Sequence, residues 1–201
     1  AEVFNQPLNN WDTSNVQYMQ WMFEDAYVFN QPIGNWNTSK VTDMSGMFSW
    51  AYDFNQNISG WDTSKVTNMY YMFGYAEDFN QNIGNWNVSS VTNMQYMFTG
   101  ATLSTNNYNA LLNGWSSLPY LQTEVTLDAP NCVYSDEGAD GRDILTESPN
   151  LWTINDDGGI ESCTLCTETC SPCGGGCTTT DMTYMFGYSY NFDTDPSGVG
   201  D

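Results

Sequence analysis

Phe54-Asn55-Gln56-Asn57-Ile58-Ser59-Gly60-Trp61-Asp62-Thr63-Ser64-Lys65-Val66-Thr67-Asn68-Met69-Tyr70-Tyr71-Met72-Phe73-Gly74-Tyr75-Ala76 is followed by Glu77-Asp78 and then, at Phe79, by the same motif again. The unit is 25 residues long, opens at Phe4, Phe29, Phe54 and Phe79, and runs through its copies without insertion or deletion. A strict short period is the mark of a solenoid, in which each unit stacks on the last.

The fixed columns divide by chemistry. Leu8, Ile33, Ile58 and Ile83 share one position, and Trp11, Trp36, Trp61 and Trp86 the next apolar one. Val16, two methionines (Met19 and Met22), Phe23 and Ala26 have equivalents in every later copy. Burying one such large side chain is worth roughly 1.5–3 kcal/mol, whereas ordering each residue's backbone costs about 1–2 kcal/mol. A single unit therefore cannot stand alone, and stacking is expected to turn equal columns into ladders. The recurring Asn and Gln are expected to satisfy backbone groups where each coil doubles back. Ile58 to Thr63 reads as a short strand. Val66, Met69, Met72, Phe73 and Ala76 have helix-like spacing. The expected fold class is an α/β solenoid, a leucine-rich-repeat-like stack of one short strand and one short helical turn per coil, with a C-terminal cap and a small disulfide-rich tail.

The run Phe-Asn-Gln-x-Ile-x-x-Trp-Asp-Thr-Ser-x-Val-Thr-x-Met-x-x-Met-Phe-x-x-Ala resembles the bacterial surface protein repeat, also called the DUF285 or BspA-like leucine-rich repeat. The resemblance covers residues 1–103, and the segments 103–115 and 151–156 resemble the pieces that close such arrays. It implies an exported, non-catalytic surface or adhesion role, at an extracellular or cell-surface location. Residues 136–150 are more acidic and Gly-rich than the helical stretch usual there.

The expected organisation is a repeat solenoid over 1–103, a capping segment over 104–162, a Cys-rich knot over 163–177 and a half-coil with tail over 178–201. In the cap, a short amphipathic helix near 107–115 and strands near 124–128 and 151–155 are expected. Cys163, Cys166, Cys170, Cys173 and Cys177 crowd together, and Cys132 lies in the cap. Zinc is one reading, but only three residues separate Cys166 from Cys170 and the chain has no histidine, so disulfides are favoured. The odd local count points to Cys132 bonding into the cluster. Residues 180–192 copy the second half of a unit, pairing Met182, Tyr184, Met185, Phe186 and Phe192 with Met69, Tyr71, Met72, Phe73 and Phe79. Ala1-Glu2-Val3 matches a unit's end, so the chain opens inside a unit; upstream residues were removed by processing, lie outside this chain or are supplied by a neighbour. Either the late half-coil stacks on Phe4, Leu8 and Trp11 of another copy, head to tail, or a second array continues beyond Asp201.

With 24 acidic and 3 basic residues the formal charge is −21. That surface repels nucleic acid and anionic membranes, and no apolar run is long enough to span a bilayer. Outside the fixed columns, Tyr18, Trp21, Tyr27, Trp50, Tyr52, Tyr70, Tyr71, Tyr75 and Tyr96 suit a protein interface or sugar stacking. Asn37, Asn57 and Asn87 head N-glycosylation sequons. Thr13, Thr38 and Thr63, interrupted by Val88, form a row that would suit ice if flat and exposed. Acidic clusters at Asp136, Glu137, Asp140 and Asp143, and at Asp156 and Asp157, offer oxygen ligands for calcium, though without a recognised motif. No other cofactor is implied, and without His the usual nucleophile and base pairs are missing. The functional expectation is a non-enzymatic subunit of a surface filament, flagellar hair or cell coat, partnering itself. The alternative is an adhesin binding host protein or glycan.

Overall fold

The computed structural model describes residues 1–160. Within it the four units lie against one another in sequence order, and equal positions are neighbours. Isolated parallel bridges join Tyr18 to Asp43, Asp43 to Asn68 and Asn68 to Asn93, each one period apart.

The second half of each unit is a run of consecutive turns whose amides alternate in direction. In the third unit the amides of Met69, Tyr71, Phe73 and Tyr75 donate to Asn93, Gln95, Met97 and Thr99 of the next unit at 2.7–3.0 Å. The intervening amides of Met72, Gly74 and Ala76 donate back to Met69, Tyr71 and Phe73. This replaces the expected helical turn. The 66, 69, 72, 73, 76 spacing reflects inward-facing turn corners, and positive φ angles of 55° at Tyr71 and 56° at Tyr75 interrupt any right-handed helix. The expected strand at 58–63 is also absent, because ladder pairing falls later, at Asn68.

The first half is held by side chains. Asn5 Oδ1 accepts the Asn30 amide at 3.0 Å and the Gln31 side-chain nitrogen at 2.9 Å, and Asn30 and Asn55 repeat this toward the following units. Trp36, Trp61 and Trp86 donate Nε1–H to the carbonyls of Leu8, Ile33 and Ile58 at 3.1–3.2 Å. Between the two halves run ladders of stacked rings: Phe23, Phe48, Phe73 and Phe98 are spaced 5.5–5.7 Å apart. Phe48 also faces Phe54 of the following unit at 3.8 Å. Such pairs add about 0.5–1.5 kcal/mol each beyond burial.

The cap imitates a unit. Helix α1 (Thr105–Ser116) carries Trp115, whose Nε1–H reaches the Ile83 carbonyl at 3.2 Å, and Asn107, which donates to Asn80 Oδ1 at 2.8 Å. Strand β1 (Thr126–Ala129) takes the bridging side through Met94 and Leu127. Helix α2 (Asp136–Thr146) packs on α1, and strand β2 (Thr153–Asp156) pairs parallel with β1. The α2 helix forms despite its Gly content because Gly138 and Gly141 are where it touches α1: a Cβ on Gly141 would lie 2.6 Å from Asn113 Oδ1 and 2.9 Å from its backbone nitrogen. The Arg142 guanidinium fixes the second layer, donating to both carboxylate oxygens of Asp156 at 2.9 and 3.0 Å. Tyr108 donates to Asp156 Oδ2 at 2.8 Å. Burial and the neighbouring Asp156 carboxylate push the Tyr108 phenol far up.

Candidate functional site

Two surfaces stand out. The first is the face of the opening unit that looks away from the second. Trp11 is 55% exposed, whereas Trp36, Trp61 and Trp86 are 1–4% exposed; Met22 is 37% exposed, whereas Met47, Met72 and Met97 are fully buried. Core columns are thus laid open, around a shallow depression of about 590 Å³ lined by Trp11, Val16, Met19 and Met22 among others. Of the residues expected to form an interface here, Phe4 is half-buried and Trp11 is available. Leu8 is only 6% exposed and has little to offer a partner directly. Tyr18, 64% exposed, and Met22 are additions that the repeat alignment could have supplied, since Met22 falls in a column buried in every later unit and Tyr18 in the column that bridges one unit to the next.

The second surface is aromatic. Trp50 and Tyr75 stack at 4.1 Å and 10°. Tyr71 meets Tyr75 at 6.4 Å, Trp21 at 6.5 Å and Tyr70 at 6.0 Å, and Tyr70 meets Tyr96 at 5.8 Å. On the other side Trp50 meets Tyr52 edge-on at 6.0 Å, and Tyr52 meets Tyr27 at 5.0 Å. Eight of the nine aromatics singled out from the sequence therefore touch in one chain of rings; Tyr18 stands apart, on the opening face. Five of the eight stand on left-handed backbone in two columns: Trp21, Gly46, Tyr71 and Tyr96 in one, Asp25, Trp50, Tyr75 and Gly100 in the other, with φ of 54–75° throughout. Glycine in both columns was the sequence signal for this conformation. Burial first, then the Asp25 and Glu2 carboxylates, push the Tyr27 phenol up; burial and Tyr75 do the same to Tyr71.

The other expected sites fall as follows. Asn37, Asn57 and Asn87 are exposed, and each side-chain oxygen accepts the amide of the serine two residues on at 3.0–3.1 Å. Asp12 and Asp62 occupy the same column as Asn37 and Asn87 and make the same turn. The Ser64 hydroxyl and amide hold the Asp62 carboxyl below its usual range, as Ser14 does for Asp12. The threonine row is not an exposed flat surface. Thr13, Thr38 and Thr63 are 1–4% exposed and donate to the Asn37, Asp62 and Asn87 carbonyls of the next unit.

Cys132 is a fully buried thiol, with the Leu103 amide donating to its sulfur at 3.4 Å, and the cysteines expected to pair with it lie outside the described residues. Burial pushes this thiol up to about 11, so it stays protonated. Cys163, Cys166, Cys170, Cys173, Cys177, Met182, Tyr184, Met185, Phe186 and Phe192 lie outside the described residues. Among the described residues no three Cys, Asp or Glu side chains converge as metal ligands, and no helix is long and apolar enough to cross a membrane.

The chain belongs to the family described as "Mycoplasma protein of unknown function, DUF285", whose sequence model matches residues 1–115. The match ends at Trp115, the residue of α1 that carries on the tryptophan column. No curated protein and no solved structure matches the chain.

Proposed function

We propose that the stack is a solenoid of the leucine-rich-repeat kind, and that the protein is a non-enzymatic extracellular structural subunit. It assembles head to tail as part of a surface filament, appendage or cell coat. The observation that carries the reading is the pattern of bonds between units, which any further half-unit can repeat. The carbonyls of Tyr18, Gln20, Met22 and Glu24 stand where those of Asp43, Ser45, Met47 and Ser49 each accept an amide from the preceding unit. All backbone ladder bonds between units fall in the second half of the repeat. Residues 180–192 repeat that half in sequence, with Met182, Tyr184, Phe186 and Tyr188 at the donor positions. One half-unit thus has every backbone group that the exposed edge calls for. Burying Trp11 and Met22 beneath it supplies the apolar term.

Sedimentation velocity of the full chain across a wide concentration range tests this. The expected result is a distribution that shifts to larger species with concentration. Variants Trp11→Asp and Met185→Asp should each abolish it, and an equimolar mixture of the two should stop at heterodimers through the one intact pair of faces. A single monomer boundary at every concentration would overturn the reading.

A second reading is favoured by the contiguous rings: an adhesin whose aromatic face holds a host protein or glycan. Binding to arrayed glycans or proteins by dispersed protein, lost on removing the rings, would support it.

A further inference from the structure

We infer that the aromatic face is a docking surface for a basic polypeptide segment, with arginine side chains stacked on the Trp21, Trp50 and Tyr71 rings. The inference deepens the second reading above, that this face binds a partner, and rests on it.

Three observations converge. First, the rings are presented rather than hidden: Trp21 and Tyr96 are 40% and 49% exposed, and Trp50, Tyr71 and Tyr75 are half-buried. Aromatic side chains on left-handed backbone are costly positions that the fold does not require, since Gly46 and Gly100 fill the same columns. Second, the half-unit that builds this face, residues 18–28 and its equivalents, carries Glu24, Asp25, Asp43, Asp53, Glu77 and Asp78 and no lysine or arginine. Third, the chain's cations among the described residues lie elsewhere. Lys40 donates to Asn15 and Lys65 shares its column, while Arg142 is tied to Asp156.

The electrostatic consequence is direct. A π face attracts a cation through its quadrupole, most strongly where nearby carboxylates add their own field. Asp25 stands in the Trp50 column one unit earlier, and the Asp25 and Glu2 carboxylates act on Tyr27 at one end of the chain of rings. A planar guanidinium meets both features at once, stacking on a ring while its N–H groups reach carboxylates; a lysine ammonium does so less well. Anionic partners are repelled by the net charge of −21. A neutral sugar would use the rings but leave the acids without purpose.

Calorimetric titration of the full chain with an oligoarginine peptide tests this, beside oligolysine of equal length, oligoglutamate and a neutral β-glucan oligosaccharide. Measurements at low and high salt separate bulk attraction from ring contact. The variant Trp50→Gly/Tyr75→Gly adopts the residue that Gly100 already shows the column accepts, and circular dichroism checks its fold. The expected result is oligoarginine bound more tightly than oligolysine, binding that persists in high salt, and about tenfold weaker affinity in the variant at unchanged charge. Equal affinity in variant and wild type, with complete loss in salt, would reduce the effect to bulk charge and overturn the proposal. Ring-dependent binding of the oligosaccharide without peptide binding would overturn the partner chemistry but keep the second reading. No binding to any probe would sink both.

Discussion

At the residue scale, what decides most is backbone conformation in two columns. Tyr96 sits at φ 60°, is half exposed and touches only Tyr70 among aromatics. Replacing it by Gly relieves roughly 1–2 kcal/mol of left-handed strain and forfeits about 0.5–1.5 kcal/mol of ring contact. Tyr96→Gly should therefore leave stability within about 1 kcal/mol of wild type in urea melts. In the same column Gly46→Ala behaves oppositely, because its Cβ would be driven into the Trp21 ring on a backbone that alanine resists; a loss of about 2 kcal/mol or more is expected. The Asp62 turn yields a pH effect. Its folded pKa lies below the ordinary 3.8 because Ser64 donates to the charged form. The contribution is therefore present above 3.8 and lost as pH falls through the folded value. Asp62→Asn keeps the turn, as Asn37 and Asn87 do, without a titrating group. Between about pH 6 and about pH 3 the wild type should lose more melting temperature, or gain less, than the variant.

At the element scale, the cap shows how sequence patterns succeed and fail. Helix α1 and strands β1 and β2 were legible because Leu111, Leu112 and Trp115 follow helical spacing and Val125 and Leu127 alternate. Helix α2 was obscured by Gly138 and Gly141, which weaken intrinsic helicity by about 1 kcal/mol each. Their reason is tertiary, the close approach of α1. Gly141→Ala should accordingly destabilise the cap by about 1–3 kcal/mol despite alanine's better propensity, since the Asn113 backbone cannot retreat as a flexible side chain would. Thermal unfolding of the variant checks the sign, and a rise in stability would contradict the packing. The turn-built half of each unit was misread for a related reason. Its inward residues match a helical period, but alternate amides are drawn off to the next unit, an interaction between copies that no single unit's pattern displays. The aromatic stripe was legible as a set of residues, but its continuity required the stacking geometry.

At the scale of the whole molecule, the contacts between units recur every 25 residues, each at its own fixed separation: 24 for the Met19 amide to the Asp43 carbonyl, 25 for the Asn30 amide to Asn5 and 28 for Trp36 to the Leu8 carbonyl. Asparagine ladders, tryptophan-to-carbonyl bonds and phenylalanine stacks all obey that one register, and α1 and β1 divide it between them at the end of the array. Stability is then approximately a sum of units and of the interfaces between them. A unit can be removed if the register survives, and not otherwise.

Two deletions compared by thermal melting put that to the most direct test. Removing residues 54–78 joins Asp53 to Phe79 and preserves every column; removing 54–77 shifts the later units by one residue. The first deletion should fold cooperatively with a modestly lower melting temperature, and the second should lose cooperative folding. Two deletions that melt alike, whether both intact or both unfolded, would contradict the 25-residue register.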